Sequence, residues 1–175
     1  LWQGENRDSN SIIYLSPKYN GFSAALTYVA HEEDGVDDGI SAAVHYGDEK
    51  LKKSNYFLSV AMDSEVDEHD VIRVSGQTKL GGVTFGAIFH SEEDVDGGGE
   101  MDGVMVSAKY SFDKVTVKGQ FQTAEYDGGD EQNGFTAGAD YKLSKQAKLF
   151  AFYTTFDMDT EADEDYLGAG IEYKF

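Results

Sequence analysis

The 175-residue chain lacks the residues on which several classes of protein depend. It has no cysteine, which excludes a thiol nucleophile and a disulfide scaffold. It has one proline, and no run of about 18 apolar residues that would form a transmembrane helix. Basic residues are few, 14 against 33 acidic ones. The net charge of −19 argues against nucleic acid as a partner, because an acidic surface repels a phosphate backbone.

Glycine and aromatic residues are abundant, with 20 glycines, 11 tyrosines and 11 phenylalanines. This composition disfavours helices and favours β-strands. The mean hydropathy of −0.47 is that of a soluble domain. Strands that alternate apolar with polar residues also have a low mean hydropathy, so the average does not exclude a membrane-spanning sheet.

The acidic residues are concentrated in a few segments. Of the 33 Asp and Glu residues, 26 fall in the ranges 31–38, 63–70, 92–102, 125–133 and 157–165. We expect these ranges to be long loops and the strands between them to be almost free of carboxylates. Lysines instead accompany short turns, which we expect at 16–21, 48–50, 80–82, 113–114 and 143–146. Because long and short connections alternate, an antiparallel chain places the two kinds at opposite ends of one sheet.

The segments between these connections predict eleven strands. We expect them at 10–17, 21–30, 38–47, 52–62, 70–80, 83–91, 103–112, 115–125, 134–143, 147–157 and 165–175. Most are near the roughly 9 to 11 residues with which a tilted strand crosses a bilayer. The facing of 147–157 stays open, since it has no polar face. The prediction is an all-β, antiparallel up-and-down transmembrane β-barrel; the alternative is a soluble sandwich.

Alternation also predicts which residues meet lipid. Phe22, Leu26, Ile72, Val74, Val117 and Phe121 are expected on the convex face. Outward aromatic residues collect near the short turns, as in the girdle at a membrane interface: Tyr14, Phe22, Tyr46, Tyr110, Phe112, Tyr141, Tyr173 and Phe175. Bacterial single-chain barrels have an even number of strands, so eleven strands indicate an incomplete barrel with free edges at 10–17 and 165–175.

Two segments resemble a known family. Residues 7–22, RDSNSIIYLSPKYNGF, are similar to the R-x-x-N-S-x-x-Y-x-S-P-x-F-x-G-F stretch of Gram-negative general porins. Residues 167–175, LGAGIEYKF, are similar to the C-terminal signal of outer-membrane barrels. The resemblance implies the C-terminal part of a 16-stranded barrel, with 1–175 as one domain that lacks five strands and the constriction loop.

The family's properties are then the expectation for this chain. They are an outer-membrane location, a homotrimer, contact with lipopolysaccharide, and a water-filled channel through which ions and small hydrophilic solutes diffuse passively. The resemblance gives Arg7 a place near the constriction. Alternation alone turns further polar side chains toward the lumen: Arg73, Gln77, Lys79, Lys109, Lys118, Gln120 and Gln122. The alternative for these residues is lumen hydration without selectivity.

Other chemistry finds little support in the sequence. His31, His45, His69 and His90 lack metal-ligand spacing, so we expect solvated or lumen-facing histidines, no cofactor and no enzymatic activity. The D-x-D segments at 94–98 and 157–161 lack the full calcium-loop spacing. They are either solvated charges or weak divalent sites that bridge to lipopolysaccharide phosphates. Two further functions stay open: a structural or adhesion barrel without a pore, and a soluble acidic binding domain.

Overall fold

The structure, a computed structural model, describes residues 9–31, 37–95, 97–159 and 162–174. Its elements are eleven strands: β1 Ser11–Leu15, β2 Phe22–Val29, β3 Gly39–Gly47, β4 Tyr56–Val66, β5 His69–Leu80, β6 Val83–Asp94, β7 Glu100–Phe112, β8 Val115–Tyr126, β9 Glu131–Lys142, β10 Ala147–Met158 and β11 Glu164–Tyr173. In these described ranges no helix has the length and apolarity needed to cross a membrane.

The strands form a single antiparallel sheet in sequence order, from β1 to β11. The predicted continuous meander is therefore confirmed, and a sandwich of two sheets is excluded for the described residues. Within this part of the chain, β1 pairs only with β2 and β11 only with β10. These two strands are the edges of the sheet, each with one side available for a further strand.

The sheet has two distinct ends. We call the end that carries the connections 16–21, 48–55, 81–82, 113–114 and 143–146 the turn end. The opposite end, which we call the acidic end, carries the connections around 30–38, 67–68, 95–99, 127–130 and 159–163. Antiparallel pairing of successive strands produces this separation, as the sequence predicts.

The sheet is curved, and burial shows in which direction. Residues opposite each other on paired antiparallel strands point to the same side, so the register defines the two faces. Val29, Val71, His90, Met101 and Ala124 are at most 4% exposed. The register places all of them on one face. A sheet without a covering layer buries one face only by curving around it, so this face is concave.

The convex face is apolar and exposed. The six residues predicted to meet lipid are between 41% and 56% exposed, and the register places them opposite the concave set: Phe22, Leu26, Ile72, Val74, Val117 and Phe121. The prediction for the convex face is confirmed. An apolar surface of this extent is unfavourable in contact with water and favourable in contact with lipid.

Aromatic rings form a belt on the convex face near the turn end. The ring centroids of Phe22 and Tyr46 are 4.4 Å apart, those of Tyr46 and Tyr56 are 5.5 Å apart, and those of Tyr110 and Phe112 are 5.8 Å apart. The hydroxyl groups of Tyr56 and Tyr46 lie 3.3 Å apart. Such rings are typical of a membrane interface, where the ring meets lipid and the hydroxyl meets water.

Tertiary pairing decides the facing of β10. The register with β11 turns Phe150 and Phe152 to the concave face, opposite Gly170 and Gly168. The rings lie over these glycines: a Cβ atom added at Gly168 would be 2.4 Å from the Phe152 ring, and one at Gly170 would be 2.7 Å from the Phe150 ring. The glycines therefore provide the space that the two inward rings occupy.

Four of the five connections at the acidic end are shorter than predicted, because the strands continue into the acidic segments; the exception is 30–38. Pairing between β4 and β5 reaches Val66 and His69, so a two-residue turn replaces the long loop expected at 63–70. Asp67 and Glu68 have φ angles of 51° and 66°, as a two-residue hairpin turn requires. The expectation of strands almost free of carboxylates is wrong. Strand ends that extend beyond the lipid carry charges because water solvates them there.

The connection 48–55 is longer than predicted, and Asp48 organises it. Its carboxylate accepts backbone N–H groups of Lys50 at 3.1 Å, Lys52 at 2.8 Å and Lys53 at 2.6 Å. The hydrogen bond from the Lys53 N–H is the main reason that the pKa of Asp48 lies below its ordinary value of 3.8; the bonds from Lys52 and Lys50 and the charge of Lys18 act in the same direction. One carboxylate thus holds the backbone of the three lysines in this turn.

We expect the stabilising effect of Asp48 to depend on pH. Since its pKa is lowered by folding, the contribution is complete well above pH 3.8 and is lost as the pH falls through the lower pKa of the folded state. Asp48→Asn should therefore lower the urea midpoint of unfolding at pH 6, and the difference from the unsubstituted protein should shrink as the pH falls below 3.8. Circular dichroism of the full-length protein in lipid vesicles measures the urea midpoints of the two proteins at each pH. A difference in midpoint that stays constant as the pH falls would contradict the stabilising role of the Asp48 carboxylate, and Asp127→Asn serves as the control.

Candidate functional site

The middle of the concave face holds a depression that polar side chains line in part. Its volume is about 300 Å³, and the polar residues in its lining are Gln77, Thr84, Ser107, Lys109, Lys118, Gln120 and Thr136. They come from five successive strands, β5 to β9, because the register aligns Gln77 with Gly86, Ser107, Gln120 and Thr136 in one row across the sheet. Gly86 has no side chain in this row, and the Ser107 hydroxyl occupies the space above it, 2.8 Å from where an added Cβ would lie.

Three lysines lie beside this row on the concave face. Lys79 and Lys109 are both opposite Thr84, and Lys109 is also opposite Lys118. Two like charges directly opposite each other on neighbouring strands are unfavourable. The ammonium group of Lys118 is drawn toward Asp140, with Nζ–O distances of 3.0 and 3.2 Å. For the side chains of Lys79 and Lys109, no carboxylate of the described residues lies within 4 Å, so the depression carries a local positive charge.

Nearer the acidic end, the concave face contains a buried hydrogen-bonded group. Arg73 Nε donates to His90 Nδ1 at 3.2 Å, and His90 Nε2 lies 2.8 Å from a Glu92 oxygen. His90 is fully buried, and the Glu92 side chain is 13% exposed. Because Nδ1 accepts from Arg73, its ring proton resides on Nε2, which donates to Glu92. A basic and an acidic side chain are thereby connected through one imidazole.

Sequence reasoning did not identify this group. The register places His90 on the concave face with Arg73, in agreement with the expected solvated or lumen-facing histidines, but it is buried there and not solvated. The three remaining described histidines are dispersed. His45 Nδ1 lies 2.9 Å from the Ser59 hydroxyl, His69 Nδ1 lies 2.6 Å from the Asp67 carbonyl, and His31 lies after β2 at the acidic end. Among the described residues, no three His, Asp or Glu side chains come together as metal ligands.

The predicted lumen residues form a strip along the concave face rather than one compact site. The strip runs from Lys79 and Lys109 near the turn end, through Gln77, Gln120 and Gln122, to Arg73 near the acidic end. Gln120 donates to Gln122 at 3.0 Å, so these two amides orient each other. Arg7 lies outside the described residues, and its place near a constriction stays a prediction.

One carboxylate at the acidic end, that of Asp38, is held by local hydrogen bonds. The Asp38 carboxylate accepts hydrogen bonds from the Tyr28 hydroxyl and, at 3.0 Å, from the backbone N–H of His31. These bonds lower the pKa of Asp38, the bond from Tyr28 most. Parts of both D-x-D segments, Asp96 and residues 160–161, lie outside the described residues.

A single antiparallel meander with an apolar convex face and a charged, polar concave face defines the wall of an outer-membrane β-barrel. The chain belongs to the Gram-negative porin family, whose sequence model matches residues 2–174. Membership of this family places the protein in the outer membrane of a Gram-negative bacterium. A comparison with curated protein sequences gives no match.

Solved porins have the same fold. The anion-selective porin from Comamonas acidovorans superimposes with a TM-score of 0.78 at 16% identity, over 96% of this chain and 60% of that one. A porin refined at 1.8 Å resolution gives a TM-score of 0.73 at 17% identity, over 93% of this chain and 60% of that one. The trimer form of OmpT from Vibrio cholerae gives a TM-score of 0.73 at 14% identity, over 95% of this chain and 64% of that one. The chain thus spans about three fifths of the length of the solved porins that it resembles.

Proposed function

We propose that the full-length protein forms a water-filled channel through the outer membrane, by which ions and small hydrophilic solutes diffuse passively. The observation that carries this proposal is the contrast between the two faces of the sheet. The convex face presents apolar residues at 41% to 56% exposure, while the concave face presents lysines, glutamines and threonines around an open depression. A wall of this kind is stable in a bilayer only if its concave face is wet.

The predicted strip of polar residues is proposed as the pore wall. Charged side chains at mid-membrane would cost about 2 to 4 kcal/mol each if they faced lipid, and in a wet lumen they do not pay that penalty. In this role Arg73, Lys79, Lys109 and Lys118 set the electrostatic potential, while Gln77, Gln120 and Gln122 offer neutral hydrogen-bonding groups. Arg7 belongs to the same proposal through the family motif. The protein acts without catalysis and without a cofactor.

Planar bilayers containing the purified full-length protein test the channel. We expect stepwise increases in current, each ohmic at low voltage, that persist in salts of different ions. A well-folded, trimeric protein that inserts into liposomes but produces no such steps would contradict the proposal. It would favour instead a structural or adhesion barrel whose acidic end binds a partner.

Cation selectivity should depend on the acidic end. Its carboxylates concentrate cations at that mouth, over a Debye length of about 10 Å at 0.1 M salt and about 3 Å at 1 M. We expect the combined variant Glu93→Gln, Glu100→Gln and Asp102→Asn to lower the cation-to-anion permeability ratio at 0.1 M and to leave it nearly unchanged at 1 M. Glu92 is spared because it binds His90. Reversal potentials in a salt gradient measure the ratio, and an equal effect at both concentrations would contradict this account.

Trimer formation and contact with lipopolysaccharide are part of the proposal. The family and the Vibrio cholerae protein with a trimer form support the first. For the second, the register places Asp70, Glu93 and Glu100 opposite one another at the acidic end, on the convex side. Divalent cations would relieve the repulsion between these carboxylates and join them to lipid phosphates. Light scattering of the detergent-solubilised protein, with and without a chelator and lipopolysaccharide, tests both.

A further inference from the structure

A second polar pocket lies at the turn end and adjoins the central depression, because its Asp140 bonds to Lys118 of that depression. It has a volume of about 220 Å³ and lies where the connections 113–114 and 143–146 meet the ends of β8 to β11. We call it the basic pocket. Five lysines and two carboxylates line it: Lys114, Lys142, Lys145, Lys148, Lys174, Asp140 and Glu172. Hydroxyl and amide groups of Thr116, Ser144 and Gln146 complete its polar lining.

The two carboxylates are already paired. Asp140 lies 3.0 Å from Lys118 Nζ and 3.7 Å from Lys148 Nζ. Glu172 lies 3.1 Å from Lys148 Nζ and 3.5 Å from Lys174 Nζ. Each carboxylate is therefore shared between two ammonium groups, and neither has a negative charge to spare for the rest of the pocket.

The other three lysines carry the surplus charge. For the ammonium groups of Lys114, Lys142 and Lys145, no carboxylate of the described residues lies within 4 Å. With five lysines against two carboxylates, the basic pocket has a net charge of three positive units. This contrasts with the net charge of −19 for the whole chain. Cations concentrated in this way in an acidic protein form a local potential that attracts anions.

The backbone that carries these lysines is well ordered by hydrogen bonds. The N–H of Lys142 donates to the carbonyl of Lys114 at 2.8 Å, which joins the two connections. The Ser144 hydroxyl accepts the N–H groups of Gln146 at 3.1 Å and of Ala147 at 3.0 Å. The lysine side chains therefore start from fixed positions around one space, which lowers the entropic cost of converging on a ligand.

We propose that the basic pocket binds phosphate-class anions, meaning inorganic phosphate or the phosphate group of a small phosphorylated solute. Ammonium groups bind phosphate oxygens through charge-assisted hydrogen bonds, and three unpaired ones match a multivalent anion better than a monovalent one. The volume admits one phosphate group with part of its water shell. Phosphate bound here would occupy the mouth of the channel opposite the acidic end. Its effect on permeation rests on the proposed channel function, which this inference deepens.

Binding is tested by ³¹P NMR of inorganic phosphate titrated into the detergent-solubilised full-length protein. We expect saturable broadening of the phosphate resonance, competed by pyrophosphate and little affected by chloride at equal ionic strength. The combined variant Lys114→Gln, Lys142→Gln and Lys145→Gln should raise the dissociation constant by about tenfold or more, because it removes the three unpaired donors. The control variant Lys50→Gln, Lys52→Gln and Lys53→Gln removes the same charge from another connection at the turn end and should leave the constant unchanged.

The outcomes separate this proposal from the channel itself. Absence of saturable broadening, or equal weakening in the two triple variants, would overturn the basic pocket as a binding site. If the first triple variant does not fold, the double variant Lys142→Gln and Lys145→Gln gives the same comparison with a smaller shift. A channel that conducts but binds no phosphate refutes this inference alone. A protein that binds phosphate in the basic pocket but never conducts refutes the proposed function alone.

Discussion

Replacing Lys79 and Lys109 with glutamate is expected to raise the cation-to-anion permeability ratio of the full-length channel by roughly five- to tenfold at 0.1 M salt. Both side chains are exposed on the concave face, on either side of Thr84. Neither is within 4 Å of a carboxylate of the described residues, so their charge acts on passing ions directly. Lys118 is left unchanged because its ammonium group is bound to Asp140.

The magnitude follows from Coulomb's law. A unit charge about 10 Å from an ion contributes about 0.4 kcal/mol in water. The two substitutions change the wall by four charge units, which gives about 1.6 kcal/mol unscreened and about 0.6 kcal/mol after one Debye length of screening at 0.1 M. Cations gain this energy and anions lose it, so the two effects multiply in the ratio.

Reversal potentials in a potassium chloride gradient measure the change. The matched control is Lys50→Glu with Lys52→Glu, which makes the same change of charge in the exposed connection 48–55. If the control shifts the ratio as much as the variant does, net charge rather than position on the concave face sets selectivity. If neither shifts it, Lys79 and Lys109 do not line the ion path.

Replacing Gly47 with alanine is expected to destabilise the folded protein by about 2 to 4 kcal/mol. Gly47 ends β3 with a φ of +101°, a conformation that residues with a side chain rarely adopt. An added Cβ would lie 2.4 Å from the backbone carbonyl oxygen of Tyr56. Because that atom belongs to the backbone of β4, a rotamer change cannot relieve the overlap. The connection 48–55 must shift instead.

Urea unfolding of the full-length protein in lipid vesicles measures the effect. Gly119→Ala is the matched control, since its φ is not positive and an added Cβ would come no closer than 3.8 Å, to the Thr136 carbonyl oxygen. We expect this control to be neutral or to stabilise by up to about 1 kcal/mol, by restricting the unfolded chain. A similar loss in both variants would show that any glycine in the sheet is sensitive, and not Gly47 in particular.

Much of the fold was predictable because its signals are local. Strand alternation has a period of two residues, and the predicted convex set from Phe22 to Phe121 was correct in the three strands that it covers, β2, β5 and β8. Short segments rich in glycine, lysine and aspartate marked the connections. Strand ends were less predictable: β4 continues to Val66 through a bulge because Asp70 accepts the N–H of Glu65 at 2.9 Å, a contact across the hairpin.

The sequence by itself determined the class of protein: an antiparallel meander, one end acidic and one basic, with an apolar face for lipid. Only the tertiary structure decided which groups meet on the concave face. Phe150 and Phe152 turn inward because Gly170 and Gly168 lie opposite them. Arg73 reaches His90 across 17 residues of chain, and Lys118 reaches Asp140 across 22. The physical reason is that alternation is encoded within each strand, whereas these contacts depend on the register between strands, which the pairing of the whole sheet sets.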